Sequence, residues 1–154
     1  MERVIVDFSV DYSISLEDMI DDSSFVSQGS GAHCLKEIDC DLFTHPNELD
    51  GNTDYLEGTL FSFYHSAHGM HVIPEERIIE EMEREGYRPA NVAELLAYCQ
   101  AALDDNFLEE GCIMAVGQNE TEARSTRWPC INLEEKTIFT DLNLYYKHSF
   151  LGVR

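Results

Sequence analysis

A chain of 154 residues, 44% of them hydrophobic and 10% aromatic, can bury an ordinary core without disulfides or metals, and its composition lies far from that of disordered chains. Thirty Asp plus Glu against ten Lys plus Arg leave a net charge of −20 with histidine neutral. Over a folded surface of roughly 7,900 Å² this is about one uncompensated negative charge per 400 Å², which excludes direct binding of nucleic acid or anionic membranes and favours basic protein surfaces.

The charge is uneven. Residues 1–50 hold 2 basic and 12 acidic residues, 51–100 hold 3 and 9, and 101–154 hold 5 and 9. No block of five like charges occurs, so the carboxylates are expected on folded elements rather than on a solvated tail. Five cysteines, an odd number with no C-x-x-C pair, argue against a disulfide framework and for a reduced, cytoplasmic protein. The opening MERVIVDFSV has a strand-like pattern without a basic and then apolar leader, and no apolar run reaches the roughly 18 residues of a membrane span.

Along the chain, Val4, Val6, Phe8, Val10 and Tyr12 alternate with Asp7, Ser9 and Asp11, the period of a half-buried strand. Ser15 is placed to cap a short helix over 16–20. The glycine-rich, polar stretch 23–32 predicts a loop. A second strand is expected over 34–43, with Ile38, Cys40 and Leu42 inward and Glu37, Asp39 and Asp41 outward. With a third strand over 55–65 it would form a hairpin with an acidic outer row.

Pro74 suits a helix start and Gly86 a helix stop, bracketing EERIIEEMERE. In that helix Ile78, Ile79 and Met82 form a narrow apolar stripe beside Glu75, Glu76, Glu80 and Glu83. Asn91 with Glu94 reads as a capping box opening a second main helix that carries Val92, Leu95, Leu96 and Cys99 and ends near Leu103. The runs 112–116, 128–133, 137–145 and 150–153 complete the strand candidates. The expected fold is a single α+β domain over 1–154, with a mostly antiparallel sheet of about five to seven strands, two main helices and one short N-terminal helix.

The segments YRPANVAELLAYCQ, IMAVG and DLNLYYKHSFLGVR resemble a group of uncharacterised bacterial and phage proteins that share an R-P-A-x-x-x-E-L-L-A helix and a terminal F-L-x-V-R strand. The resemblance covers residues 86–154, less than half of the chain. It implies a fold for that half and no activity, and it adds a host cytoplasm as the location if the chain is phage-encoded.

Several constellations invite chemistry. His65, His68 and His71 recur at three-residue spacing, with His33, Cys34, Cys40 and His45 on the preceding strand candidate. Imidazole and thiolate are zinc ligands, yet three-residue steps on an extended chain send side chains to alternating faces, and the spacing fits no zinc module. Cys99 and Cys112 lie in apolar patterns typical of inert core thiols. The chain contains no G-x-S-x-G, P-loop, G-x-G-x-x-G or H-E-x-x-H motif, so neither catalytic residues nor an organic cofactor are assigned.

The functional expectation is therefore a non-enzymatic protein whose carboxylate rows, Glu37, Asp39 and Asp41 with Glu75, Glu76, Glu80 and Glu83, imitate phosphates in the basic groove of a nuclease or nucleic-acid-binding defence complex. The alternatives are a zinc enzyme or sensor built on the histidine cluster, and an interaction module whose partner does not bind nucleic acid. Acidity that serves solubility alone is the bland counterpart of all three.

Overall fold

The expected first strand is β1, Val6–Asp11, with Val6, Phe8, Val10 and the following Tyr12 buried and the intervening residues exposed. Val4, expected on the same inner face, is 54% exposed. Ser15 caps α1, Leu16–Asp22, by accepting a hydrogen bond from the Asp18 amide. A computed structural model of the chain describes residues 4–29, 35–43, 53–63, 71–105, 111–118, 120–122 and 125–154.

Two expectations in the first third are corrected. The stretch read as a loop contains β2, Val26–Ser27, paired in parallel with a later strand and preceded by buried Phe25. The strand expected over 34–43 shrinks to β3, Leu35–Lys36, followed by a 3-10 turn at Cys40–Leu42. Asp39 causes that break: its carboxylate accepts from the Asp41 amide at 3.1 Å, a local bond that competes with strand pairing.

The expected hairpin does not form either. The long strand β4, Thr53–Ser62, lies between β1 and the last strand, β10, Ser149–Val153, and is antiparallel to both. Between them in sequence come α2, Glu75–Arg84; β5, Arg88–Pro89; α3, Val92–Asp104; β6, Cys112–Met114; β7, Glu120–Glu122; β8, Ser125–Asn132; and β9, Thr137–Asp141. The main order is β1-β4-β10-β6-β8-β9-β2, with β3 against β9, β5 against β10 and β7 against β8. All pairs are antiparallel except β10 with β6 and β2 with β9. The architecture is α+β with a mostly antiparallel sheet and, among the described residues, three α-helices.

Both faces of the sheet are covered. Ile113, Ile131, Ile138 and Leu151 pack with Leu16, Ile20, Leu95 and Leu96 from α1 and α3. Their strand neighbours Met114, Cys130, Phe139 and Phe150 pack with Ile78 and Met82 from α2. Adjacent strand residues point to opposite faces, so α1 and α3 lie on one side and α2 on the other. Continuous apolar runs such as CIMAV follow from burial on both sides. No helix among the described residues is long and apolar enough to cross a membrane.

Candidate partner-binding groove

The two carboxylate rows singled out from sequence fall on opposite faces of the sheet. Glu76, Glu80 and Glu83 are exposed on α2 and Glu75 is half-buried there. Burial and the neighbouring Glu76 both raise the Glu75 carboxyl above its ordinary range. On α2, Arg84 neutralises Glu81 at 2.6 Å. Arg77 donates to the Tyr146 hydroxyl at 2.6 Å and stacks on Phe63 and Tyr146, so this helix carries cations interleaved with its acids.

Glu37, Asp39 and Asp41 lie on the other side, and here the fold adds what sequence spacing did not disclose. α1 buries Leu16 and Ile20 and therefore turns Glu17, Asp18, Asp21 and Asp22 outward. Past β3, Ile38 and Phe43 anchor the irregular segment in the core while Glu37, Asp39 and Asp41 stay exposed. Glu17 and Asp21 from the helix then face Glu37, Asp39 and Asp41 across one groove of about 470 Å³, in which Lys36 is the one lining cation among the described residues.

Cys40, also on the groove wall, reports the local field. Burial pushes its thiol up to about 11, reinforced by Glu17, Asp39, Asp41 and Asp21. Four carboxylates that each disfavour a nearby negative charge make a concave, predominantly negative region, where low-dielectric walls focus the field on an approaching cation. A larger open groove of about 690 Å³ over β1 and β4 is lined by Asp7, Ser9, Glu57 and Tyr55, the last 84% exposed. Arg154 pairs with Glu57 there at 2.8 Å, so the larger groove carries the weaker field.

The other candidates separate cleanly. His71 is exposed, and its carbonyl accepts the Tyr146 amide beside the Val72–Tyr145 bridge. His65, His68, His33, Cys34 and His45 lie outside the described residues. Among the described residues no group of three or more His, Cys, Asp or Glu is placed to hold a metal ion. Cys99 is fully buried and its thiol is pushed up by burial, as an inert core residue should be. Cys112 departs from the expectation: it is half-buried rather than sealed in the core, and the neighbouring Cys130 thiol is the chief influence that lowers its own thiol below the ordinary range.

The R-P-A-x-x-x-E-L-L-A segment resolves into one polar knot. Glu94, with a side chain 0% exposed, receives Arg88 through two bonds of 2.9 and 2.6 Å and also accepts the Asn91 amide at 2.9 Å. Asn91 Oδ1 in turn accepts from the Glu94 amide at 2.8 Å, and Asn91 Nδ2 donates to the Tyr12 hydroxyl at 3.2 Å. These residues lock β5 to the start of α3 and tie both to the chain after β1. That is a structural role, and no reaction is suggested by it.

Comparison with protein-family models, with curated proteins and with solved structures found no match. The functional reading therefore rests on geometry and charge.

Proposed function

We propose that this chain is a non-enzymatic acidic binding protein that blocks a basic partner, a nuclease or a nucleic-acid-binding defence complex, by presenting carboxylates where the partner expects phosphates. The observation that carries this reading is the groove in which Glu17, Asp21, Glu37, Asp39 and Asp41 meet with, among the described residues, one lining cation, Lys36. Such a surface gains fast, salt-sensitive association with a cationic groove, because like-charged neighbours raise the local potential and the rest of the −20 molecule steers the encounter. The α2 carboxylates play a lesser part, since they lie on the opposite side among Arg77 and Arg84. The protein acts in a reducing cytoplasm, a reading supported by free thiols at Cys40, Cys99, Cys112 and Cys130.

The test is competition. The immobilised chain is exposed to lysate of its source cell at low salt, and excess duplex DNA is then added. The reading expects a basic nucleic-acid-binding protein to be retained and then displaced by DNA. Retention of a partner indifferent to both DNA and salt would instead favour the general interaction module.

A further inference from the structure

β1 ends the sheet: among the described residues it pairs with β4 alone. The direction of its backbone groups follows from the next pairing. Glu57 and Arg154 exchange both of their backbone hydrogen bonds at 2.9 Å, so the polar groups of Glu57 point toward β10. Those of its neighbours Leu56 and Gly58 therefore point toward β1, where they meet Phe8 and Val6. Val6, Phe8 and Val10 thus bond to β4, while Asp7, Ser9 and Asp11 turn their backbone groups outward along the open edge. The Asp11 carbonyl is taken by the Ile14 amide at 3.2 Å. The N–H and C=O of Asp7 and Ser9 and the N–H of Asp11 carry no partner among the described residues.

The same three residues hold exposed side chains on the face where Glu57 and Tyr55 stand opposite Asp7 and Ser9, along the open groove of about 690 Å³. Asp11 is fixed by Ser13, whose amide and hydroxyl donate to Oδ1 at 3.0 and 2.5 Å, leaving Oδ2 without a partner among the described residues. Arg154, the one described cation that lines this groove, pairs with Glu57 and stacks on Tyr87 at 4.5 Å, rather than on Asp7 or Asp11. A second copy of the chain is a poor occupant of this edge. Antiparallel pairing of two β1 strands about Ser9 would set Asp7 of each copy against Asp11 of the other, and like charges directly opposite are destabilising.

We propose that β1 is a strand-addition site that takes an extended basic segment of another protein, antiparallel to β1, with Lys or Arg opposite Asp7 and Asp11 and apolar residues between them. The apolar residues fall on the α3 side, beside the buried row Val6, Phe8 and Val10. Tyr55 offers its exposed ring to a cationic side chain. The edge lies at the opposite end of the strand order from β2, whose Ser27 lines the acidic groove, so the two surfaces act separately.

The probe is a labelled, end-blocked octapeptide of alternating Lys and Val, followed by fluorescence anisotropy in about 0.15 M salt. It is titrated against the full chain neutralised at Glu17, Asp21, Glu37, Asp39 and Asp41, which removes capture by the acidic groove. Saturable binding is expected. N-methylation of the lysine amides, which face β1, should abolish it, whereas N-methylation of the valine amides, which face away, should not. Amide exchange followed by NMR should show Asp7, Ser9 and Asp11 gaining protection in the complex, with Val6, Phe8 and Val10 protected already. Asp7→Asn together with Asp11→Asn should weaken binding about tenfold. Ser9→Pro removes one outward N–H without touching a bond to β4 and should abolish binding; the methylated peptides read the same contact if that variant fails to fold. Absence of saturable binding, equal loss with both methylated peptides, or no loss with the lysine-methylated one would overturn the proposal. So would a dimer of the unmodified chain that Ser9→Pro dissolves, which would give the edge to a second copy.

Discussion

Arg88 and Glu94 show how one pair can hold two elements. The Glu94 carboxylate is fully buried while the Arg88 side chain is about half exposed, so the two substitutions are not equivalent. Arg88→Ala leaves a buried carboxylate without its counter-ion and should cost about 3–5 kcal/mol. Glu94→Gln keeps the shape and part of the cap and should cost about 1–2 kcal/mol. Urea unfolding of the two variants checks that order. His148 makes a second residue-scale prediction. Burial, with a smaller effect of Lys147, pushes its imidazole down to about 4, and Tyr145 N–H donates to Nδ1 at 3.2 Å. A folded-state value below the ordinary 6.5 means that its contribution is complete above about 6.5 and is lost as pH falls toward 4, about 3 kcal/mol in all. Asp141, its neighbour at 4.0 Å, has a carboxyl raised by burial and acts in the opposite direction as it protonates. His148→Asn, which keeps an acceptor for Tyr145 N–H, should flatten the dependence of urea midpoint on pH across that window. An unchanged slope would assign the acid sensitivity to other groups. The cap at Asn91 and Glu94 was legible in sequence because capping is local; the Arg88 pairing was not, because it requires β5, an element too short to leave a periodic signal.

At the scale of elements, strands with alternating or continuous apolar runs and helices with caps were legible, as β1, β4, α2 and α3 demonstrate. What failed was the pairing of 34–43 with 55–65. Alternating Ile38, Cys40 and Leu42 fits a strand, but Asp39 and Asp41 form a local turn instead, and tertiary context assigns β4 to β1 and β10. The acidic groove was illegible for the same reason: it joins Glu17 and Asp21 to residues some twenty positions away across a contact that no periodicity encodes. Its field has a direct readout. Neutralising Glu17, Asp21, Asp39 and Asp41 to Gln or Asn should lower the Cys40 thiol from about 11 and speed its alkylation at pH 8 by several-fold or more, on the order of one pKa step. No change in rate would mean that burial alone controls that thiol. Close packing of α3 on β1 and β4 is tested at Gly58, where an added Cβ would meet Tyr98 Cδ2 at 2.6 Å and Phe8 Cε1 at 2.9 Å. Both rings belong to the T-shaped pair that fills this contact, so Gly58→Ala should cost about 1–3 kcal/mol in thermal or urea unfolding.

For the whole molecule, a net charge of −20 with few compensating cations predicts self-repulsion that salt relieves. Raising ionic strength from about 0.1 M to 1 M shortens the screening length from about 10 to 3 Å, and the melting temperature should rise by roughly 3–6 °C, equivalent to about 1–2 kcal/mol for a chain of this size. The same charge steers encounters, but only a local surface can confer selectivity, and the groove between α1 and the segment after β3 concentrates it. The most direct measurement is therefore a capture experiment from source-cell lysate at low and high salt with three forms of the chain: unmodified, neutralised in the groove at Glu17, Asp21, Glu37, Asp39 and Asp41, and neutralised on α2 at Glu75, Glu76, Glu80 and Glu83. The account predicts that a basic nucleic-acid-binding protein is retained by the first and third at low salt, released by high salt, and lost by the second. A partner retained equally by the groove variant, or lost only with the α2 variant, would contradict it.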